Sequence, residues 1–368
     1  MLKDDNLQDM KESTIGKKIV KSFSPVEMTD LPGEFTVATE EEINATVEAA
    51  LAAFSIYKTK SAEEKAVLLE TIAGEIMALG DKLIQRAMLE TGLPEARLIG
   101  ERGRTTGQLK LFAELLREGS WLEAVIDTAL PERKPLPRAD LRKMLVPIGP
   151  VAVFGASNFP FAFSTAGGDT ASALAAGNPV VVKAHNSHLG TNELVASAIE
   201  KAVRKCNMPA AVFSYIVGEG SVTGLQLVEN EGIKAVGFTG SYSAGMSIFK
   251  AATTKRTSPI PVFAEMSSIN PVLILPGKLQ QDDKLAVQLA ASITLGAGQF
   301  CTNPGLIFLI EDGSTGSFIN KLVEVISASP AATMLNPNIC TSYYTGRENV
   351  ANQKGVRVLF EGENGCSN

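Results

Sequence analysis

Cys301 stands in the run GAGQFCTNPG, residues 296–305, among small and polar neighbours and ahead of an Asn-Pro-Gly turn. A thiolate in such a place can attack a carbonyl carbon, and a nearby carboxylate that takes the thiol proton makes the attack easier. Glu265 is a candidate for that base. It ends the apolar run PIPVFAE and precedes MSSINP, so a strand is expected to carry it at its carboxyl end, where burial would raise its pKa towards a useful range. The plainer alternatives stay open: free cysteine is more often core filler, and Glu265 could be a solvent-paired carboxylate. The only histidines, His185 and His188, share one short segment, so a histidine-based catalytic pair would have to use one of them.

A second group of residues suits phosphate and ribose. In VGFTGSYSAGMSIFKAA a strand ends in Thr239-Gly240-Ser241 and a helix begins, with a further glycine at Gly245. Free amides and the positive end of a helix dipole at such a turn favour an anion. The spacing matches neither Gly-x-Gly-x-x-Gly nor a Walker loop, and an ordinary tight strand-to-helix turn is the plainer reading. Lys183 ends the strand-like run VVVK, where nucleotides bind in open α/β sheets, although a solvated lysine is the plainer reading. The residues after it are Ala-His-Asn-Ser-His. With no carboxylate there to repel a 2′-phosphate and two imidazoles able to donate to it, NADP is expected to be accepted, with NAD also possible.

These residues need elements to hold them. From about 39 to 118 the apolar residues recur at helical spacing, with Thr39 and Ser61 as N-caps, acids in the first turns, Gly80 as a stop and a third helix from Pro94. Residues 119–143 carry the only Trp, several Pro and short strand-like runs, which predicts an extended arm or hairpin, or an ordinary surface connection. From 149 the runs PVAVFGAS, NPVVVKAH, FSYIVG and AVGFTG alternate with Ala-rich helical stretches, the pattern of a doubly wound, nucleotide-binding α/β sheet. A second α/β segment is expected from about 264 onward.

The 368 residues are 45% hydrophobic and 20% charged, with a formal net charge of -6. That suits a globular chain of more than one domain and gives no basic face for nucleic acid or an anionic membrane. No apolar run is long enough to span a bilayer, and the charged start MLKDDNLQDMKEST does not read as a secretory signal, so a cytoplasmic location is expected. Four scattered cysteines without a CxxC pair predict reduced thiols and no metal site.

Taken together, GASNFPFAF, VVVKAH, GFTGS, FAEMSSINP and GQFCTNPG resemble, in this order and spacing, the aldehyde dehydrogenase superfamily. ERGRTTGQL, VKAHNSH and GQFCTNPG make the chain most similar to the α-ketoglutaric semialdehyde dehydrogenases within it. The resemblance implies an α/β aldehyde dehydrogenase fold. A Rossmann-like NAD(P)-binding domain would occupy 1–118 and 144–263, a β oligomerisation arm 119–143, and a partial catalytic domain 264–368. It implies that Cys301 attacks the aldehyde, that Asn158 shares the oxyanion hole with the Cys301 amide, and that Glu265 activates the thiol or the hydrolytic water. One such oxyanion donor is worth about 3 kcal/mol. The cofactor would meet Lys183, His185, Asn186, Gly220, Gly224, Gly240 and Ser241. The implied reaction is NAD(P)-dependent oxidation of α-ketoglutaric semialdehyde or of a fatty or aliphatic aldehyde, in a homodimer or homotetramer.

For substrate choice, Leu98, Arg102, Thr105, Leu109, Phe112 and Leu116 share one helical stripe, in which Arg102 needs an anionic partner. Arg102 or Arg104 is expected to bind a substrate carboxylate, or to pair internally with Glu95 or Glu101, while Phe159 and Phe163 wall the substrate tunnel or belong to the core. The family also carries a later Glu-(Ile/Val)-Phe-Gly-Pro segment whose glutamate holds the nicotinamide ribose, and nothing after Cys301 matches it. A catalytic sheet cut short is expected to expose an edge and apolar surface. A chain that binds cofactor or an oligomer partner without turnover, or one with only thiol esterase activity, is the alternative.

Overall fold

Local capping starts the helical half. In the computed structural model, which describes residues 18–279 and 284–362, two small antiparallel ribbons come first: β1 (Ile19–Val20) with β4 (Phe35–Thr36), and β2 (Phe23–Ser24) with β3 (Thr29–Asp30). α1 (Glu40–Tyr57) and α2 (Ala62–Ala78) each open on a capping box, in which Thr39 and Ser61 accept from the amides of Glu42 and Glu64 and the glutamates accept in return. Each cap contributes about 1 kcal/mol. α3 (Gly80–Thr91) stops at Gly92, and α4 (Glu95–Glu118) starts after Pro94 and stops at Gly119. Both glycines adopt the left-handed conformation that a side chain would disfavour.

β5 (Val125–Asp127) and β6 (Leu141–Lys143) then pair antiparallel in a ribbon whose residues are all exposed. The main sheet follows: β7 (Val151–Phe154), α5 (Gly168–Ala175), β8 (Val180–Lys183), α6 (Leu189–Lys205), β9 (Phe213–Ile216), α7 (Leu225–Glu229), β10 (Ala235–Thr239), α8 (Tyr242–Thr254) and β11 (Val262–Glu265). Its five strands are parallel, in the order β11-β10-β7-β8-β9. Alternate residues point to opposite layers. Val151, Val153, Val180 and Val182 pack towards α2, α4, α5 and α6, whereas Ala152, Phe154, Val181 and Phe238 pack towards α1, α7 and α8. The chain runs outward from β7 to β9 and then returns to β10 on the other side of β7. That reversal puts a switch point between β7 and β10, and ligands of open α/β sheets bind at the carboxyl ends of strands there.

The last part is thinner. β12 (Pro271–Ile274) and β13 (Leu306–Leu309) form a parallel pair, accompanied by α9 (Pro276–Leu279), α10 (Lys284–Thr294), α11 (Thr315–Ser327) and α12 (Pro337–Ala351). Val272, Ile274, Ile307 and Leu309 pack with Leu289 and Phe318 of α10 and α11. On the opposite face Leu273 is 71% and Phe308 51% exposed. Apolar side chains are therefore open on that face. Cys206 and Cys301 are free thiols, but Cys340 is disulfide-bonded, against the expectation of reduced cysteines. Distance along the chain says little about which thiols meet in space.

Candidate active site

Cys301 lies in an irregular loop after α10 and is exposed. The chain reaches it through Gly296, Ala297 and Gly298, all at positive φ, so the loop departs from helix within one turn. Carboxamides hold the carbonyls beside the thiol. Asn158 Nδ2, in the loop after β7, donates to the Gln299 carbonyl at 2.7 Å. Asn270 Nδ2 donates to the Cys301 carbonyl at 2.7 Å and to the Asn303 carbonyl at 2.9 Å. An amide nitrogen carries two hydrogens, so Asn158 keeps one to offer an oxygen next to Cys301. Gln299 is fixed in turn by the Leu335 amide, which donates to its Oε1 at 3.0 Å.

Helix α4 lies behind this loop. Arg97 donates to the Asn158 carbonyl, and its guanidinium sits 5.0 Å from the Phe159 ring centre and 4.5 Å from that of Phe300. Phe159 meets Phe163 and Phe300 edge to face at 5.0 and 5.2 Å. Glu101 accepts from the amides of Phe161 and Ala162 at 2.8 and 3.0 Å and lies 3.7 Å from Arg97. Burial raises the Glu101 pKa, against the amide bonds and the two arginine charges that lower it. Burial also lowers the Arg97 pKa, partly offset by Glu101. Arg104 rests on Phe163 at 4.9 Å and Phe159 at 5.8 Å and is exposed. Among the described residues no carboxylate lies within ion-pair distance of it.

Arg102 is not part of this group. Its Nη1 donates to the Gly80 carbonyl at 2.8 Å, where α2 passes into α3. The stripe that contains Arg102 faces the neighbouring helices, whereas Arg97, Glu101 and Arg104, spaced by four and three, face the Asn158 loop. Its partner is thus a neutral backbone carbonyl, not an anion. Arg97, Phe300, Gln299 and Asn270 were not singled out from the sequence, although the Arg97–Glu101–Arg104 spacing was readable there.

Glu265 ends β11 beside Thr239, and its carbonyl accepts from the Gly240 amide at 3.0 Å. The expected burial is not found. β11 is an edge strand with its alternate residues turned to solvent, and Glu265 is one of the exposed ones. Its charge adds to burial in raising the pKa of Asp169. The run from Glu265 continues to Ile269 and Asn270, which hold the Gly305 amide and the Cys301 carbonyl, so one strand exit serves both the carboxylate and the thiol loop.

At the carboxyl ends of β8 and β9, Lys183 is buried and donates to Asn186 Oδ1 at 3.1 Å. Burial lowers its pKa to about 8, and the charge of Glu219 opposes that shift. Glu219 pairs with Lys18 and leads into the turn Gly220–Gly224. A carboxylate therefore does reach this corner, from a distant part of the chain, although none follows Lys183 in sequence. His185 Nδ1 accepts from the Ser187 amide at 3.1 Å, and burial, with the charges of His188 and Lys183, keeps its pKa well below the usual imidazole value. His188 is fully buried, with Nε2 3.1 Å from the Ala156 carbonyl and Nδ1 3.1 Å from Asn192 Oδ1, so it cannot reach a ligand. Ser241 caps α8, and a Cβ on Gly240 would lie 2.7 Å from Phe238. Packing against the Phe238 ring alone favours a glycine there. Among the described residues no group of His, Cys, Asp and Glu could hold a metal, and no helix is long and apolar enough to cross a membrane.

Comparison with known proteins places this arrangement. A model described as the aldehyde dehydrogenase family matches residues 11–356. An α-ketoglutaric semialdehyde dehydrogenase 2 of Azospirillum brasilense is 52% identical over 94% of the chain and 66% of its own length. An α-ketoglutaric semialdehyde dehydrogenase of Acinetobacter baylyi is 49% identical over 89% of the chain and 62% of its length. The chain thus spans just under two thirds of these relatives. A salicylaldehyde dehydrogenase structure from Pseudomonas putida superposes with a TM-score of 0.80 at 19% identity, covering 95% of this chain and 71% of that one. At that identity the likeness shows the fold alone.

Proposed function

The chain belongs to the aldehyde dehydrogenase family, and from that premise we propose that it oxidises α-ketoglutaric semialdehyde to α-ketoglutarate with a nicotinamide dinucleotide. The names of the two relatives near 50% identity support the substrate class. The observation that carries the chemistry is the Asn158 carboxamide bonded across to Gln299, two residues before an exposed thiol.

In this reading the Cys301 sulfur bonds to the aldehyde carbon while its proton passes to the Glu265 carboxylate. The carbonyl oxygen becomes an oxyanion, and the free hydrogen of Asn158 Nδ2 and the Cys301 amide stabilise it by about 3 kcal/mol per donor. The nicotinamide, when bound, supplies the hydride acceptor that turns the thiohemiacetal into a thioester. Glu265 gives up that first proton to solvent, then takes one from the water that attacks the thioester carbon, and Cys301 leaves as the thiolate.

The cradle fits a dinucleotide. Lys183 and Asn186 would meet the adenosine ribose, Gly220 and Gly224 the adjoining loop, and Gly240 and Ser241 the amides at the head of α8. His185 Nε2 and Lys183 favour NADP, while Glu219 works against a 2′-phosphate unless Lys18 holds it, so NAD is accepted too. Arg104 is the receptor for the distal carboxylate, because its exposed guanidinium is steadied on two rings and pairs with no carboxylate among the described residues. The wholly exposed β5–β6 ribbon suits contact with a second copy in a dimer or tetramer.

The test is formation of reduced nicotinamide by the purified chain with α-ketoglutaric semialdehyde and with a short aliphatic aldehyde. Cys301→Ala should abolish both reactions. Arg104→Met should raise KM roughly tenfold for the carboxylated aldehyde only, the loss of one charged contact. Equal effects on the two aldehydes would remove Arg104 from substrate recognition, and absence of turnover by folded wild-type chain would overturn the dehydrogenase reading itself.

A further inference from the structure

Among the α4 side chains that touch these loops, Arg97 is the one placed against both. Arg97 donates to the backbone carbonyl of Asn158, so it fixes the loop whose carboxamide bonds the Gln299 carbonyl, two residues before the thiol. The same guanidinium lies 5.0 Å from the Phe159 ring and 4.5 Å from the ring of Phe300, the residue directly before Cys301. Phe159 and Phe300 also meet edge to face at 5.2 Å. Glu101, at 3.7 Å, offsets part of the cost of burying the Arg97 charge, and by accepting from Phe161 and Ala162 it ties down the far end of the Asn158 loop. The two loops belong to different halves of the molecule, the one following β7 of the large sheet and the other preceding β13 of the small one.

We propose that Arg97 is a positioning residue: it sets the separation between Asn158 and Cys301 by bonding one loop and stacking on both. The proposal rests on the reading of Cys301 as nucleophile and Asn158 as oxyanion donor. Arg97 is engaged by a carbonyl, a carboxylate and two rings, whereas Arg104 rests on rings alone, and this separates their roles. A flat guanidinium can bond in its plane while stacking through its face, and a lysine ammonium cannot do both. Arg97→Lys should therefore behave nearly as badly as Arg97→Met.

The experiment joins kinetics to hydrogen exchange in the full chain. Misplacing the oxyanion donor should lower kcat roughly ten- to hundredfold for both aldehydes, and likewise for hydrolysis of a nitrophenyl ester, with KM little changed. In an Asn158→Ala background the Arg97→Met change should add almost nothing, since its effect passes through Asn158. Amide exchange in Arg97→Met should rise in 156–163 and 296–303 together while β7 to β10 stay protected. A kcat loss that persists undiminished in the Asn158→Ala background, or faster exchange in only one of the two loops, would overturn the proposal. If wild-type chain turns over neither aldehydes nor ester, the functional reading fails, and the exchange result alone then decides whether Arg97 couples the loops.

Discussion

β8 and β13 look alike as sequence, VVVK and LIFL, yet they live in different surroundings. Each residue of β8 is buried between two helical layers, while β13 alternates, with Leu306 and Phe308 open and Ile307 and Leu309 covered. A continuous apolar run therefore reports that a strand can be buried on both faces, and the number of layers decides whether it is. In the large sheet α1, α7 and α8 cover one face and α2, α4, α5 and α6 the other. In the small sheet, among the described residues, α10 and α11 cover one face and leave Leu273 and Phe308 open on the other. The large sheet carries the proposed dinucleotide cradle, and the thiol proposed to react stands in the loop before β13 of the less covered one.

The same substitution in both sheets gives the widest separation. Phe238 in β10 is 6% exposed and Phe308 in β13 is 51% exposed. Phe238→Ala should cost about 3–5 kcal/mol of unfolding free energy, because it opens a cavity in a close-packed layer beside Phe154. Phe308→Ala should stay within about 1 kcal/mol. Urea unfolding followed by circular dichroism reads both, and comparable costs would mean that β13 is covered on both faces in solution.

The contrast also marks how far the sequence could be read. Caps at Thr39 and Ser61, the stop at Gly80, and the four strands from β7 to β10 follow local rules, and local rules survive folding unchanged. The Cys301 loop and the end of β11 could be located as motifs, but their exposure could not, because it depends on which layers are present. Arg102 misled for a related reason: one helical stripe holds residues facing different neighbours, and only the packing of α4 on α2 and α3 shows that it meets the Gly80 carbonyl. Arg97 was hidden because its partners, Asn158 and Phe300, stand far away in the chain. Glu219 entered the cofactor corner in the same way.

Within the cradle, Lys183 sharpens the comparison through pH. Burial lowers its pKa from 10.5 to about 8. The folded chain then releases this proton before the unfolded chain does, so between those values the unfolded state binds more protons and Lys183 makes stability rise with pH. Ligand binding has the opposite sign, since a dinucleotide phosphate needs the ammonium. Affinity for NADP should be level below about 8 and fall roughly tenfold as the pH climbs past it, the worth of one charged hydrogen bond. Lys183→Met should lower affinity at neutral pH and remove the step. Calorimetric titration across that range would read it, and a step of equal size in the variant would assign the pH dependence to another group.

The smallest effect belongs to Glu219, where the cradle meets solvent. Its carboxylate pairs with Lys18, with side-chain exposures of 43% and 62%, so water and salt screen the pair. That pairing holds its pKa below the usual carboxylate value, and the group is charged at neutral pH. Glu219→Gln removes a negative charge whose field reaches Lys183, which should strengthen NADP binding a few-fold at low salt and leave NAD almost unaffected, because only NADP carries the additional 2′-phosphate. The gain should shrink as salt is added. Lys18→Met tests the same corner with reversed sign: releasing Glu219 from its partner should weaken NADP relative to NAD. A cofactor ratio unmoved by either substitution at low salt would place the 2′-phosphate beyond the reach of Glu219 and leave Lys183, His185 and Asn186 as the residues that set the preference.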